Sequence, residues 1–326
     1  MGILIKIFFL LFSSLSFYSF VNSASTLSVG FYNERCPQVE RVIHEELVKK
    51  MIPFPFNITI PGTLRLFFHD CYVQGCDGSV LITSDESHDS EKHAPINLSL
   101  AGDAFDLVDK AKAALEKECP GVVSCSDILA ILARDVVHWW QGPTWEVEKG
   151  RRDGLISNAT EAELLMPRSN ESITSLIRGF EMIGLTTADL VTLSGAHTIG
   201  FTHCAEFASR ILQNDTTLNT EVREKVIGAC PFPEIDETVV QALDQDTEFT
   251  FDNKFFKSLR QGKGLLLTDH VLAFGDDEYS RKLVYRYSQD QKLFFQEFAK
   301  SMVKLGRVGV KTGSDGEIRK DCRKFN

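Results

Sequence analysis

Leu64-Arg65-Leu66-Phe67-Phe68-His69-Asp70-Cys71 decides how this 326-residue chain is read. If the stretch is a helix, residues four apart share a face, so Arg65 and His69 stand together. A permanent cation then lies beside an imidazole, above an apolar Leu-Phe-Phe run. That pair suits a site where a small oxygen species gains and loses protons while charge builds up on it. A histidine on a hydrophobic helix is more ordinarily a satisfied core or surface residue. The rest of the sequence has to decide between the two readings.

The length allows one large domain or two modest ones, either with a sizeable core. Hydrophobic residues make up 43% and charged residues 25%, as in ordinary globular proteins. The net charge of -10 argues against nucleic acid as a partner, because phosphate binding needs a basic surface. At the N-terminus, Lys6 lies near the start of the apolar run Ile3 to Phe12, and the small residues Ser23 and Ala24 follow. This pattern predicts a signal peptide over 1–23, cleaved after Ser23 or close by, with a mature domain over 24–326. No later segment is long and apolar enough to predict a membrane span.

Secretion changes how the cysteines are read. Cys36, Cys71, Cys76, Cys119, Cys125, Cys204, Cys230 and Cys322 form an even set, which predicts four disulfides. Eight cysteines permit about 105 pairings, so the spacing leaves the connectivity open. Cys71 and Cys76 are close enough to staple one tight loop. No Cys-x-x-Cys pair occurs, which disfavours zinc. Sequons begin at Asn57, Asn97, Asn158, Asn170 and Asn214, and fit the secretory route.

Helical periodicity dominates. Helices are predicted over Gln38 to Lys50 and Ala104 to Glu118. Others are Asp127 to His138 capped by Ser126, Ile173 to Ile183 capped by Ser172, and Ala188 to Ser194 capped by Thr187. Asp252 to Arg260 and Asp277 to Leu305 follow, the latter broken near Ser288. Gly78 to Ile82 and Trp145 to Val147 read as short strands, and Pro53 to Gly62 as a loop. There is no internal repeat and no long linker. The fold class is mainly α, a single helical domain stapled by disulfides.

A second histidine sits in Leu193-Ser194-Gly195-Ala196-His197-Thr198-Ile199-Gly200. Its small neighbours leave room for something flat to approach the backbone, although a histidine at a helix end often only meets carbonyl dipoles. Ser194 as a hydrolase nucleophile is disfavoured, since the nucleophile elbow needs glycine where Thr192 stands. Beyond His69, Asp70, Asp77 and Ser79 supply oxygens around the Cys71/Cys76 loop. Carbonyls of Val73 and Gly75 would extend them to a calcium shell, which takes about six to eight oxygens. A solvated acidic turn is the plainer alternative. A second oxygen-rich stretch runs from Asp244 to Asp252.

Taken together, Arg65 to Cys71, Gly75-Cys76-Asp77-Gly78-Ser79, Val123-Ser124-Cys125-Ser126-Asp127, Gly150-Arg151-Arg152-Asp153 and Leu193 to Gly200 resemble the secretory (class III) plant haem peroxidases. The resemblance runs from about Gly30 to Cys322, with several spaced motifs in order. It implies the haem-peroxidase fold, with one haem b between distal and proximal halves and two calcium ions. It implies a secreted enzyme of the extracellular space or cell wall, with the vacuole as another destination. That enzyme, a monomer, reduces hydrogen peroxide while oxidising small phenolic donors by one-electron steps.

The resemblance also implies roles. His197 is the axial ligand to haem iron, and Asp269 accepts a hydrogen bond from its other ring nitrogen. His69 moves the peroxide proton and Arg65 stabilises developing charge. Asn97 hydrogen-bonds His69, and Glu91 is the acid that holds Asn97. If Asn97 is buried beside His69, its sequon stays unglycosylated. Pro167 marks where donors meet the haem edge, with Met166 and Arg168 departing from the usual small or hydrophobic neighbours. One calcium falls to Asp70, Val73, Gly75, Asp77 and Ser79, and the other to Thr198, Asp244, Thr247, Thr250 and Asp252. The implied disulfides are Cys36–Cys119, Cys71–Cys76, Cys125–Cys322 and Cys204–Cys230. A scaffold-only wall or glycan-binding protein is the rival class, but it would have no need of Arg65, His69 and His197 together. A calcium-dependent interaction module fits only as a secondary role.

Overall fold

Pro61 and Gly62 fall inside a helix, not in the loop that their residue types suggest. The computed structural model, which describes residues 27–52, 58–84, 89–231, 233–236 and 238–326, places them in the first turn of α2, Thr59–Val73. A first-turn N–H has no intrahelical acceptor, so proline costs nothing there. Leu64, Leu66, Phe67 and Cys71 point α2 into the core. The signal-peptide segment and Asn57 lie outside the described residues.

α2 packs within a layer formed with α1, Val39–Met51, α3, Gly102–Glu118, and α4, Cys125–Trp139. This layer is the distal half. Ser124, not Ser126, caps α4 by accepting the Asp127 N–H at 3.1 Å, so the helix starts two residues earlier than predicted. The short α5, Ala159–Leu165, leans on α2 and leads to α6, Ile173–Met182, capped by Ser172 as predicted. α7, Thr187–Ser194, is capped by Thr186 in a reciprocal box with Asp189, one residue before the predicted Thr187.

β1, Phe201–His203, follows the His197 segment and pairs antiparallel with β2, Val240–Ala242. Between them lie α8, Cys204–Leu212, and α9, Thr220–Ala229, with a small apolar core of their own. The proximal half continues with α10, Lys254–Leu259, and α11, Leu267–Phe274. It closes with α12, Glu278–Gln289, and α13, Gln291–Leu305, which pack on α7. The last two meet at Asp290, which caps α13, two residues beyond the predicted break.

Neither predicted strand forms. Ser79–Leu81 is a 3-10 turn, because Gly78 adopts φ 69° and the Ser79 N–H folds back to Asp77 Oδ1 at 3.0 Å. Trp145 to Val147 is extended but has no ladder partner, the nearest bridge being Ser28 with Lys149. The disulfides join Cys36–Cys119, Cys71–Cys76, Cys125–Cys322 and Cys204–Cys230, the same pairing that the resemblance implied. No helix among the described residues is long and apolar enough to cross a membrane.

Candidate active site

Arg65 and His69 share one face of α2, as their spacing predicts. His69 is buried, and its Nδ1 lies 2.7 Å from Asn97 Oδ1. That contact makes Nδ1 the protonated nitrogen and leaves Nε2 as a lone-pair base. Burial, and then the Arg65 charge, pull the His69 pKa down to about 3 despite the opposing Asn97 bond. The imidazole is therefore neutral at any physiological pH.

Asn97 is itself held, because its Nδ2 donates to the Glu91 main-chain carbonyl at 2.8 Å. The holding atom is thus the backbone of Glu91 and not its carboxyl group. That carboxyl faces the acidic loop instead. Burial, then Asp70 and Asp77, push it up to about 9, so it is a neutral acid. Asn97 is only 2% exposed and has no room for a glycan, whereas Asn170 and Asn214 are exposed.

His197 stands on the other half. Its Nδ1 lies 2.8 Å from the buried Asp269 Oδ1, which leaves Nε2 as the free ring nitrogen. Burial lowers its pKa, but the Asp269 charge and hydrogen bond outweigh burial, and the net shift is upward. The carboxylate fixes the tautomer and enriches the ring as a donor. The Arg65 charge, on the helix that carries His69, also opposes protonation of His197, so both histidines lie within the field of one cation. Phe68 and Ala196 are part-buried beside them, and the His197 side chain keeps 37% of its surface although its neighbours are buried. Arg65 has its Nη1 on the Ser99 carbonyl at 3.1 Å, and the surrounding protein desolvates it enough to lower its pKa. Two imidazoles that each keep Nε2 free, His69 and His197, with a cation acting on both, fit an iron porphyrin.

Behind His69 the Cys71–Cys76 loop gathers Asp70, Asp77 and Ser79, all buried. Asp70 Oδ2 accepts the Gly78 N–H at 3.0 Å, while Asp70 Oδ1 and Ser79 Oγ have no well-formed hydrogen bond. Burial, then Asp77, raise Asp70 to about 8. Lys311 pairs with Asp77 Oδ2 at 2.6 Å, a long-range contact that no local pattern announces. Gly75, at φ 95°, lets the loop touch the backbone of Gly309, where a Cβ would come within 2.5 Å. The proximal oxygens also converge. Thr198 Oγ1 lies 3.1 Å from Asp252 Oδ1 and 3.4 Å from Asp244 Oδ2, and Thr247 Oγ1 is 3.2 Å from Asp244. Thr250 lies in the same loop, its N–H on the Thr247 carbonyl at 2.9 Å. β1 and β2 bring this loop beside Thr198, with the Leu243 N–H on the Gly200 carbonyl at 3.0 Å. Among the described residues no three His, Cys, Asp or Glu side chains cluster as a metal site. Each cradle instead combines two carboxylates with hydroxyl oxygens, Asp70 and Asp77 with Ser79 in one and Asp244 and Asp252 with Thr198 and Thr247 in the other, and such oxygens are the ligands of a hard cation.

After α5, Pro167 is part-buried and Met166 turns into the core at 4% exposure. Only Arg168 departs at the surface, and its guanidinium is held by the Glu163 carboxylate.

The base, the cation and the carboxylate-backed imidazole define a haem-dependent oxidoreductase that acts on a small oxygen substrate. A family model described as "Peroxidase" matches residues 43–290. The chain is 44% identical over 301 residues to Peroxidase 41 of Arabidopsis thaliana, covering 92% of this chain and 91% of the relative. It is 43% identical over 319 residues to Peroxidase 55 of the same plant, covering 96% and 94%. The chain belongs to the peroxidase family.

Sequence reasoning missed the roles of Gly150-Arg151-Arg152-Asp153. Arg151 Nη1 pairs with buried Asp127 at 2.8 Å, and its Nε and Nη2 donate to the Gly306 carbonyl at 2.9 and 2.6 Å. Asp153 accepts the main-chain N–H groups of Ser126 and Arg319 at 3.0 and 2.9 Å. Three charged residues in a row, Arg151, Arg152 and Asp153, in a motif already marked by the family resemblance, were the signal.

Proposed function

We propose that this haem peroxidase is a secreted enzyme that reduces hydrogen peroxide and takes its electrons from small phenols. Per turnover, one H2O2 and two phenols give two waters and two phenoxyl radicals. Each phenol loses one electron and one proton. The observation that carries the reading is the His69–Asn97 bond at 2.7 Å opposite the His197–Asp269 bond at 2.8 Å. It presents one free Nε2 from each side of a single cleft. Bound there, the haem supplies the redox centre that accepts peroxide oxygen and stores its oxidising equivalents.

The chain supplies the proton path and the charge. His69 Nε2 takes the proton from the inner peroxide oxygen and returns it to the outer one, which leaves as water. Arg65 holds the negative charge that grows as the O–O bond parts. His197, backed by Asp269, is the residue that would hold the iron. Asp70, Val73, Gly75, Asp77 and Ser79 would hold one calcium. Thr198, Asp244, Thr247, Thr250 and Asp252 would hold a second. The partnerless Asp70 oxygen supports the first site and the converging Thr198 and Asp244 oxygens the second. Four disulfides and exposed sequons support secretion to the cell wall or vacuole.

The test uses the purified, haem-loaded full-length mature protein. The expected result is a Soret band together with guaiacol oxidation that requires peroxide. A colourless protein after haem supplementation, or oxidation that is independent of peroxide, would overturn the reading.

A further inference from the structure

Glu206 lies in the first turn of α8, the helix that follows the His197 segment and β1. Its main-chain carbonyl accepts the Ser169 hydroxyl at 3.2 Å, two residues from Pro167. Its charge reaches inward far enough to oppose the fall in the Arg65 pKa, and it is the one charged group that does so. Glu206 therefore lies against the segment that carries Pro167, within electrostatic reach of Arg65. The neighbouring charged side chains are already engaged. Arg168 is bound by Glu163, and Glu171 accepts the Arg168 N–H at 2.8 Å and bonds the Ser175 hydroxyl. The Glu206 carboxylate is exposed and makes no hydrogen bond or ion pair among the described residues. Arg65 carries the opposite charge, and its guanidinium is held on the Ser99 carbonyl.

We infer that Glu206 is a specificity-determining residue that biases the enzyme toward phenols bearing an ammonium group and against phenols bearing a carboxylate. The inference rests on the phenolic-donor reading above. A donor at Pro167 delivers its electron from the ring while its para arm stays at the mouth, within the field of that carboxylate. Two unit charges about 7 Å apart at a protein surface change an encounter several-fold, and reversing the donor's sign doubles the exponent. A preference of about tenfold between the two donors is expected, weakening with salt.

The experiment compares tyramine, 3-(4-hydroxyphenyl)propionate and neutral 4-ethylphenol, which share a para two-carbon arm. It measures second-order donor rate constants with the holoenzyme at pH 7, at low and high ionic strength. In Glu206→Gln the tyramine-to-propionate ratio should fall about fivefold or more, and Glu206→Lys should reverse the preference. The 4-ethylphenol rate, the Soret band and the peroxide step should stay as in the parent. Glu224→Gln, an exposed change on α9, should leave the ratio unmoved, which separates a local field from net charge. If 4-ethylphenol is oxidised normally and the ratio is the same in Glu206→Gln and Glu206→Lys, this inference is overturned alone. If 4-ethylphenol is not oxidised, the phenolic reading is overturned and this inference with it.

Discussion

The base role proposed for His69 draws on two effects that make it a poor cation and also keep its lone pair available. Burial and the nearby Arg65 hold its pKa to about 3, against about 6.5 in an unfolded chain. Between those values the unfolded state binds the extra proton, so this group's contribution to stability falls as pH drops below about 6.5. The peroxide step should therefore be flat from neutral pH to about 4 and decline only as pH nears about 3. His69→Ala should retain the Soret band and slow peroxide reduction by about 10²–10⁴-fold. Rapid-mixing absorbance would check both, and an unchanged rate in the variant would exclude His69 as the base. At this scale the sequence was largely legible, since Arg65, His69, Asn97, His197 and Asp269 all meet their expected partners or faces. What it hid was atom-level choice. Glu91 holds Asn97 by a carbonyl, and Met166 leaves the rim for the core, because main-chain contacts and side-chain direction depend on packing that spacing does not encode.

The distal loop after α2 joins His69 to the rest of the fold through backbone contacts. The Cys76 N–H reaches the Val308 carbonyl at 2.9 Å, and Gly75 lies on Gly309. Its buried carboxyls are only partly offset, Asp77 by Lys311 and Asp70 by the more distant Arg319. A calcium ion would supply the remaining positive charge. Chelation should then speed amide exchange across residues 70–79 and diminish the Soret band, as α2 loses support beside His69. Hydrogen-exchange mass spectrometry on protein shown to be calcium-free would test this. Unchanged exchange and an intact Soret band would refute the distal assignment. Long periodic helices such as α3 were readable to within two residues because one apolar face repeats. Short elements were not. A Val-Leu-Ile run after Gly78 resembles a strand until the Asp77 side chain turns the chain, and three-residue β1 and β2 exist only through each other. Ser124 and Ser126, or Thr186 and Thr187, are equally good caps by type, and only the backbone path chooses between them.

Across the whole molecule, one buried charge network closes the chain on itself. Asp127 accepts from the Tyr32 hydroxyl and the Gly150 N–H, each at 2.7 Å, and pairs with Arg151, which grips the carbonyl just after α13. Fully buried Arg319 donates to the Gly78 and Gly154 carbonyls at 2.6 and 2.7 Å, and the Cys125–Cys322 bond ties the same tail to α4. The distal layer, the middle of the chain and the C-terminus are therefore locked at one point, outside the cleft. No local pattern announces such a network, because its members are far apart in sequence and each looks like a surface charge. Breaking a buried pair by removing one partner leaves the other charge stranded, typically at a cost of about 3–5 kcal/mol. Arg151→Leu should lose about that much in urea unfolding of the oxidised protein, while Soret position and peroxide rate at low denaturant stay near those of the parent. Arg151→Leu combined with Asp127→Asn should recover part of the loss, since the stranded charge is then gone and the Tyr32 and Gly150 contacts persist. A single-variant loss below about 1 kcal/mol, or no recovery in the double variant, would show that the pair is incidental and that the disulfide alone holds the tail.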